Sequence, residues 1–141
     1  MAYDPSNVFA KVLRGELPCH KIYEDADTLA FLDIMPRTDG HALVITKAQA
    51  RDLFDITPQA LAALMRTVQR LAPVIRDAIG ADGVLIQQFN GAAAGQTVFH
   101  LHFHILPIKE GRPLKPHAGQ MADQAALAAT AEKIRQTLQS D

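Results

Sequence analysis

Apolar residues recur at helical spacing along one long stretch: Leu61, Leu64, Met65, Val68, Leu71, Ala72, Ile75 and Ile79 fall three and four apart, the period of a single buried helix face. Thr57-Pro58 ahead of the stretch offers a cap residue and a proline at the first helical position, while Gly80 and Gly83 bracket the exit. Pro73 lies inside this stretch and removes one backbone donor, which predicts a kink. A shorter helix is expected over 7–14, capped by Ser6 and closed by Gly15. Leu127, Ala131, Ile134 and Leu138 predict a last helix. Between these helices, short apolar runs bounded by turn residues predict five strands, over 20–24, 28–33, 41–46, 84–89 and 98–106. The short links between strands suit hairpins better than crossovers, so the expected architecture is α+β with an antiparallel sheet.

Composition narrows the picture without redirecting it. The 141 residues, 48% of them hydrophobic, are one domain's worth of chain. A core over about 5–108 is expected, with a C-terminal extension over 109–141. Fourteen Lys and Arg against fifteen Asp and Glu create no global field to recruit nucleic acid or a membrane surface. The single Cys19 excludes an intrachain disulfide and reads as an inert thiol. The first residues lack a basic segment followed by an apolar one, and no stretch has the length of a membrane span, so a soluble cytoplasmic domain is expected.

Three of the chain's six histidines stand at alternate positions, His100, His102 and His104. On a strand they share one face, with Leu101, Phe103 and Ile105 on the other. Polar faces normally mix Thr, Lys, Glu and Gln, and neighbouring protonated imidazoles repel one another, so a site explains the pattern better than solvation does. Two chemistries remain. Alternating histidines can chelate a transition metal, although no carboxylate or cysteine ligand stands obviously nearby. Alternatively, one imidazole acts as nucleophile while its neighbours fix its tautomer and bind charge.

The heptad His100-Leu101-His102-Phe103-His104-Ile105-Leu106 resembles the signature of the histidine triad superfamily. The likeness extends in order along the chain, through Val8-Phe9-Ala10-Lys11-Val12, Tyr23-Glu24-Asp25, Phe31-Leu32-Asp33-Ile34 and Gly40-His41-Ala42-Leu43-Val44-Ile45. It implies a five-stranded antiparallel sheet with one long and one short helix plus a C-terminal helix, and a two-fold homodimer that joins two sheets into one.

The resemblance also implies chemistry. His102 would be the nucleophile at the α-phosphorus of a purine nucleotide, with its Nδ1 proton held by the carbonyl of His100, so that a nucleotidyl-histidine intermediate forms and is then hydrolysed. His104, Gln96 and Thr97 would contact phosphate or leaving atom, with the side chains of His100 and His41 behind them. Asp33 would bind the ribose, while Val8, Phe9, Val12, Phe31 and Ile34 wall the base pocket; Asn90 resembles the family's substrate-site asparagine. Bacterial relatives hold a structural zinc on two cysteines and a histidine; here those positions read Asn7, Ala10 and Gln49. No bound metal and no cofactor are therefore expected. The leading expectation is a phosphoramidase-like hydrolase; the alternatives are a dinucleoside polyphosphate hydrolase and a non-catalytic nucleotide-binding adaptor. The turn-rich, cationic segment 111–117 is expected beside the site, where it would influence the leaving group.

Overall fold

A computed structural model describes residues 2–116 and 119–140; His117 of the cationic segment lies outside them. The elements run α1 (Val8–Leu13), β1 (Lys21–Glu24), β2 (Thr28–Leu32), β3 (Ala42–Thr46), α2 (Pro58–Ile79), β4 (Gly83–Gln87), a 3-10 turn (Ala92–Ala94), β5 (His102–Ile108) and α3 (Gln124–Gln139). The strands form one sheet in the order β1-β2-β3-β5-β4, with every neighbouring pair antiparallel.

Local chemistry sets the helix ends. Thr57 accepts the Ala60 N–H, Pro58 opens α2, and Gly80 closes it at φ 73°. The helix continues unbroken through Pro73, which lies on its exposed side. The cap of α1 is Asn7, whose side chain accepts the Ala10 N–H, and not the expected Ser6. Ser6 is drawn away because its N–H and hydroxyl both bond the Asp4 carboxylate, which makes a turn of residues 4–6.

The sheet separates two apolar clusters. On one face Ala30, Leu32, Val44, Leu101 and Ile105 pack under α2 and α3, against Leu64, Leu71 and Ile75. Alternation along β2, β3 and β5 sends Leu29, Phe31, Leu43 and Ile45 to the other face, where they meet Phe9 of α1. Within the C-terminal extension, α3 contributes Leu127, Ala131 and Ile134 to the first cluster, all buried. Among the described residues, no helix is long and apolar enough to cross a membrane.

The last strand differs from its expected span. It starts at His102, four residues later than the hydrophobic pattern suggests, and runs two residues further. Residues 98–101 leave the ladder because Leu101 N–H bonds the Ala50 carbonyl, tying this stretch to the loop after β3. Consequently His102 and His104 share a strand face opposite Ile45 and Leu43, whereas His100 is held off the strand.

Candidate active site

Three strand ends and α1 converge on the second face of the sheet. His102 and His104 project from β5, His41 immediately precedes β3, and Asp33 follows β2. They line a cavity of about 560 Å³ together with Val8, Phe9, Val12, Phe31, Ile34 and Thr97. This volume suits a small-molecule ligand. Phe9 stands edge-on to His102 with ring centres 4.8 Å apart, so α1 closes one side of the imidazole.

The hydrogen bonds decide where the protons sit. His102 Nδ1 lies 2.6 Å from the His100 carbonyl. A carbonyl only accepts, so Nδ1 carries the proton and Nε2 carries the lone pair. His104 has the opposite arrangement. The Arg37 backbone N–H donates to His41 Nδ1 at 3.1 Å, which puts the His41 proton on Nε2. That atom lies 2.9 Å from His104 Nδ1 and donates to it. His104 in its neutral form therefore carries its proton on Nε2 and is a donor there. Two imidazoles on one strand face thus present unlike atoms, an electron pair at His102 and an N–H at His104.

His100 is 1% exposed and does not line the cavity. Its Nε2 lies 2.6 Å from the Thr46 carbonyl and its Nδ1 lies 2.6 Å from the Tyr3 hydroxyl. Burial pushes its pKa below the ordinary value, with the bond to Thr46 opposing in part, so the ring is held neutral. Asp33 Oδ1 accepts the Met35 N–H at 2.9 Å, and its Oδ2 stands 3.6 Å from His41 Nε2. Ligand-type atoms of Asp33, His41 and His104 lie within 4.8 Å of one another. A metal ion bound there would have to replace the His41–His104 hydrogen bond. Of the positions read as lost zinc ligands, Asn7 caps α1, Ala10 is buried and Gln49 is exposed.

Two expected site residues have other occupations. Gln96 is buried at 4% exposure; its amide accepts the Gly91 N–H and donates to the carbonyls of Arg51 and Val98. It braces the loop that carries Thr97, and Thr97 is the member of the pair that lines the cavity. Asn90 also stands outside the lining, its amide bonded to Leu53 N–H and to Gln88. Sequence reasoning missed Arg37, which adds a permanent positive charge to the lining. Arg37 and Lys115 exchange bonds, the Arg37 Nε to the Lys115 carbonyl and the Lys115 N–H to the Arg37 carbonyl, at 3.0 and 2.8 Å. The cationic segment therefore does lie beside the site, and Met121 and Gln124 further along line the cavity's rim. Tyr3 was missed as well, since no local pattern marks a residue that meets its partner 97 positions away. Burial raises the pKa of Cys19 at the cavity edge, consistent with an inert thiol.

Residues 14–111 match the model of the HIT domain. The chain belongs to the HIT family. Its structure superposes on that of a Hit-like protein from Bartonella henselae with a TM-score of 0.93 at 44% identity, covering 97% of this chain and 99% of the other. An adenosine 5'-monophosphoramidase of Schizosaccharomyces pombe is 40% identical over 102 residues, 72% of this chain and 74% of the relative. An adenylylsulfatase of Arabidopsis thaliana is 44% identical over 103 residues, which are 73% of this chain and 52% of that longer protein. The five-stranded antiparallel sheet with its three helices is the HIT-like fold.

Proposed function

We propose that this HIT protein is a nucleotidyl hydrolase that acts on purine nucleoside 5'-phosphoramidates or a related adenylated adduct. The observation that carries the reading is the 2.6 Å bond from His102 Nδ1 to the His100 carbonyl, which leaves the lone pair on Nε2 of a ring lining the cavity. His102 Nε2 attacks the α-phosphorus, the phosphorus–nitrogen bond breaks, and the amine departs after taking up a proton. Water then attacks the same phosphorus and breaks the bond to Nε2, releasing the nucleoside monophosphate. Splitting the displacement into two steps gives the first a better nucleophile than water and the second a better leaving group than the amine.

The remaining residues take roles that follow from their atoms. His104 donates from Nε2 to a phosphate oxygen, and Arg37 and Thr97 offer a charge and a hydroxyl to the same group. Asp33 accepts from the ribose hydroxyls. Val8, Phe9, Val12, Phe31 and Ile34 enclose the base. His41 and His100 act through their neighbours, as positioning residues. The names of two relatives, a monophosphoramidase and an adenylylsulfatase, support nucleotide hydrolysis with a small leaving group.

The reading includes a two-fold dimer across the β4 edge. β4 is an edge strand, and Leu85 and Ile86 on it are 36% and 38% exposed, as is Met65 of α2 at 38%. Light scattering at micromolar concentration reads the mass directly, and a monomer would remove this part.

The test of the activity compares specificity constants for adenosine 5'-phosphoramidate, adenosine 5'-phosphosulfate and diadenosine polyphosphates, with His102→Ala alongside. We expect phosphoramidate to lead and the variant to lose turnover by at least about 10³-fold while still binding the monophosphate. A dinucleotide preference would replace the proposed leaving group, and unchanged turnover in His102→Ala would remove the nucleophile.

A further inference from the structure

The N-terminal strap before α1 delivers one side chain to the back of the site. Asp4 builds the turn that ends the strap: its Oδ1 accepts from Ser6 N–H at 2.9 Å and from Ser6 Oγ at 2.7 Å, and its carbonyl accepts from Asn7 Nδ2 at 2.8 Å. Arg14 at the far end of α1 holds the Pro5 carbonyl at 2.8 Å. The turn is thereby fastened at both ends of the helix, and Tyr3 projects from its start. The Tyr3 hydroxyl reaches His100 Nδ1 at 2.6 Å, with the two rings edge-to-face at 5.7 Å between centres.

The direction of each bond follows from its partners. Thr46 offers His100 a carbonyl, so the proton on the neutral ring is at Nε2. His100 Nδ1 is then an acceptor, and Tyr3 is the donor. Without that donor, a nitrogen on a ring 1% exposed would lose its partner. Two bonds of 2.6 Å connect the Tyr3 hydroxyl to the His100 ring and, through the His100 main chain, to the Nδ1 of His102, and a third of the same length ties that ring to the Thr46 carbonyl.

We propose that Tyr3 is a positioning residue for the nucleophile: its hydroxyl donates to Nδ1 of the ring that the Thr46 carbonyl holds as the Nε2–H tautomer, and so helps to anchor the carbonyl that holds the His102 Nδ1 proton. The proposal rests on the reading of His102 as nucleophile. Because His100 lies off the strand, its carbonyl is held outside the sheet ladder, by the Leu101 N–H of the same peptide, which bonds the Ala50 carbonyl, and by the ring anchored at both nitrogens.

Tyr3→Phe keeps the ring and removes the donor. Nitrogen-15 spectra of the histidine side chains in the unliganded protein supply the first readout. We expect the wild type to show His100 protonated at Nε2 only and His102 at Nδ1 only. In Tyr3→Phe we expect the His100 Nδ1 resonance to move as it loses its donor, and His102 to shift toward mixed tautomers. Turnover of adenosine 5'-phosphoramidate supplies the second: at temperatures where both proteins are fully folded, kcat falls roughly three- to tenfold and KM stays within a factor of two. A wild-type His100 protonated at Nδ1 overturns the proposal. So does a Tyr3→Phe spectrum in which the His100 and His102 nitrogens keep their wild-type shifts, or a Tyr3→Phe rate equal to that of the wild type at temperatures where both are fully folded. The spectra decide it even where phosphoramidate proves a poor substrate, a result that would count against the activity alone.

Discussion

His41 Nε2 lies 2.9 Å from His104 Nδ1, and the contact gives His104 the tautomer opposite to that of His102. The His41 ring is itself oriented from behind by the Arg37 backbone N–H, with the Asp33 carboxylate 3.6 Å from its donating nitrogen. A main-chain donor thus selects, through two imidazoles, which nitrogen of His104 carries the proton. Residues from the turn after β2 and from β5 have to be in place together for that selection to work.

His104→Ala is expected to lower kcat for the phosphoramidate by about 10²-fold, the scale of losing one donor to developing charge. His41→Ala should cost roughly tenfold, because His104 remains but can adopt either tautomer. The double variant is the sharper measurement. Since His41 acts only through His104, the pair should lose little more than His104→Ala alone. Losses that multiply would mean that His41 acts on the substrate by another route.

The strand alternation of His102 and His104 and the apolar stripe of α2 were legible because each depends on neighbours in sequence. Asp33 was legible only through the family resemblance, and it lines the cavity with Phe31. What was not legible depends on contacts between distant segments. Residues 98–101 carry the same alternating pattern as β5, yet the bond from Leu101 N–H to Ala50 takes them out of the sheet and turns His100 from a face residue into a support. Gln96 has the side chain to bind phosphate but finds three main-chain partners within its own loop and the next. The last helix was legible from the spacing of Leu127, Ala131 and Ile134, but its packing against the cluster under α2 depends on contacts that the spacing does not show.

The neutral, buried His100 makes folding sensitive to acid. Its folded pKa is depressed below the ordinary 6.5, first by burial. Below about pH 6.5 the unfolded chain takes up a proton that the folded protein refuses, so stability declines as pH falls. The decline ends once the pH passes the lower, folded value, where both states are protonated. Above pH 7 the group contributes no slope. Urea unfolding of the wild type and His100→Gln between pH 7.5 and 5 should show a steeper loss in the wild type, by at most about 1.4 kcal/mol per pH unit. Parallel curves would mean that this ring is not the origin of the slope.

Gly40 ties the end of α2 to the site. It stands at φ +83° immediately before His41, and a Cβ added there would lie 2.6 Å from Ile79 Cγ1 and 3.2 Å from Pro107 Cγ. Gly80 at the helix terminus has a similar φ of +73° but open space around it. The two glycines therefore separate backbone strain from crowding. Gly80→Ala should cost about 1 kcal/mol, the strain alone. Gly40→Ala adds overpacking against the last residue of α2 and should cost about 2–4 kcal/mol in total. For a domain of this length each kcal/mol shifts the melting temperature by roughly 3–5 °C, so thermal melts resolve the two. Any displacement of residue 40 moves the start of β3, and with it the His41 ring that orients His104. Gly40→Ala should accordingly lose turnover at temperatures where it remains folded, while Gly80→Ala keeps it; equal melting temperatures for the two variants would show that Ile79 yields without resistance.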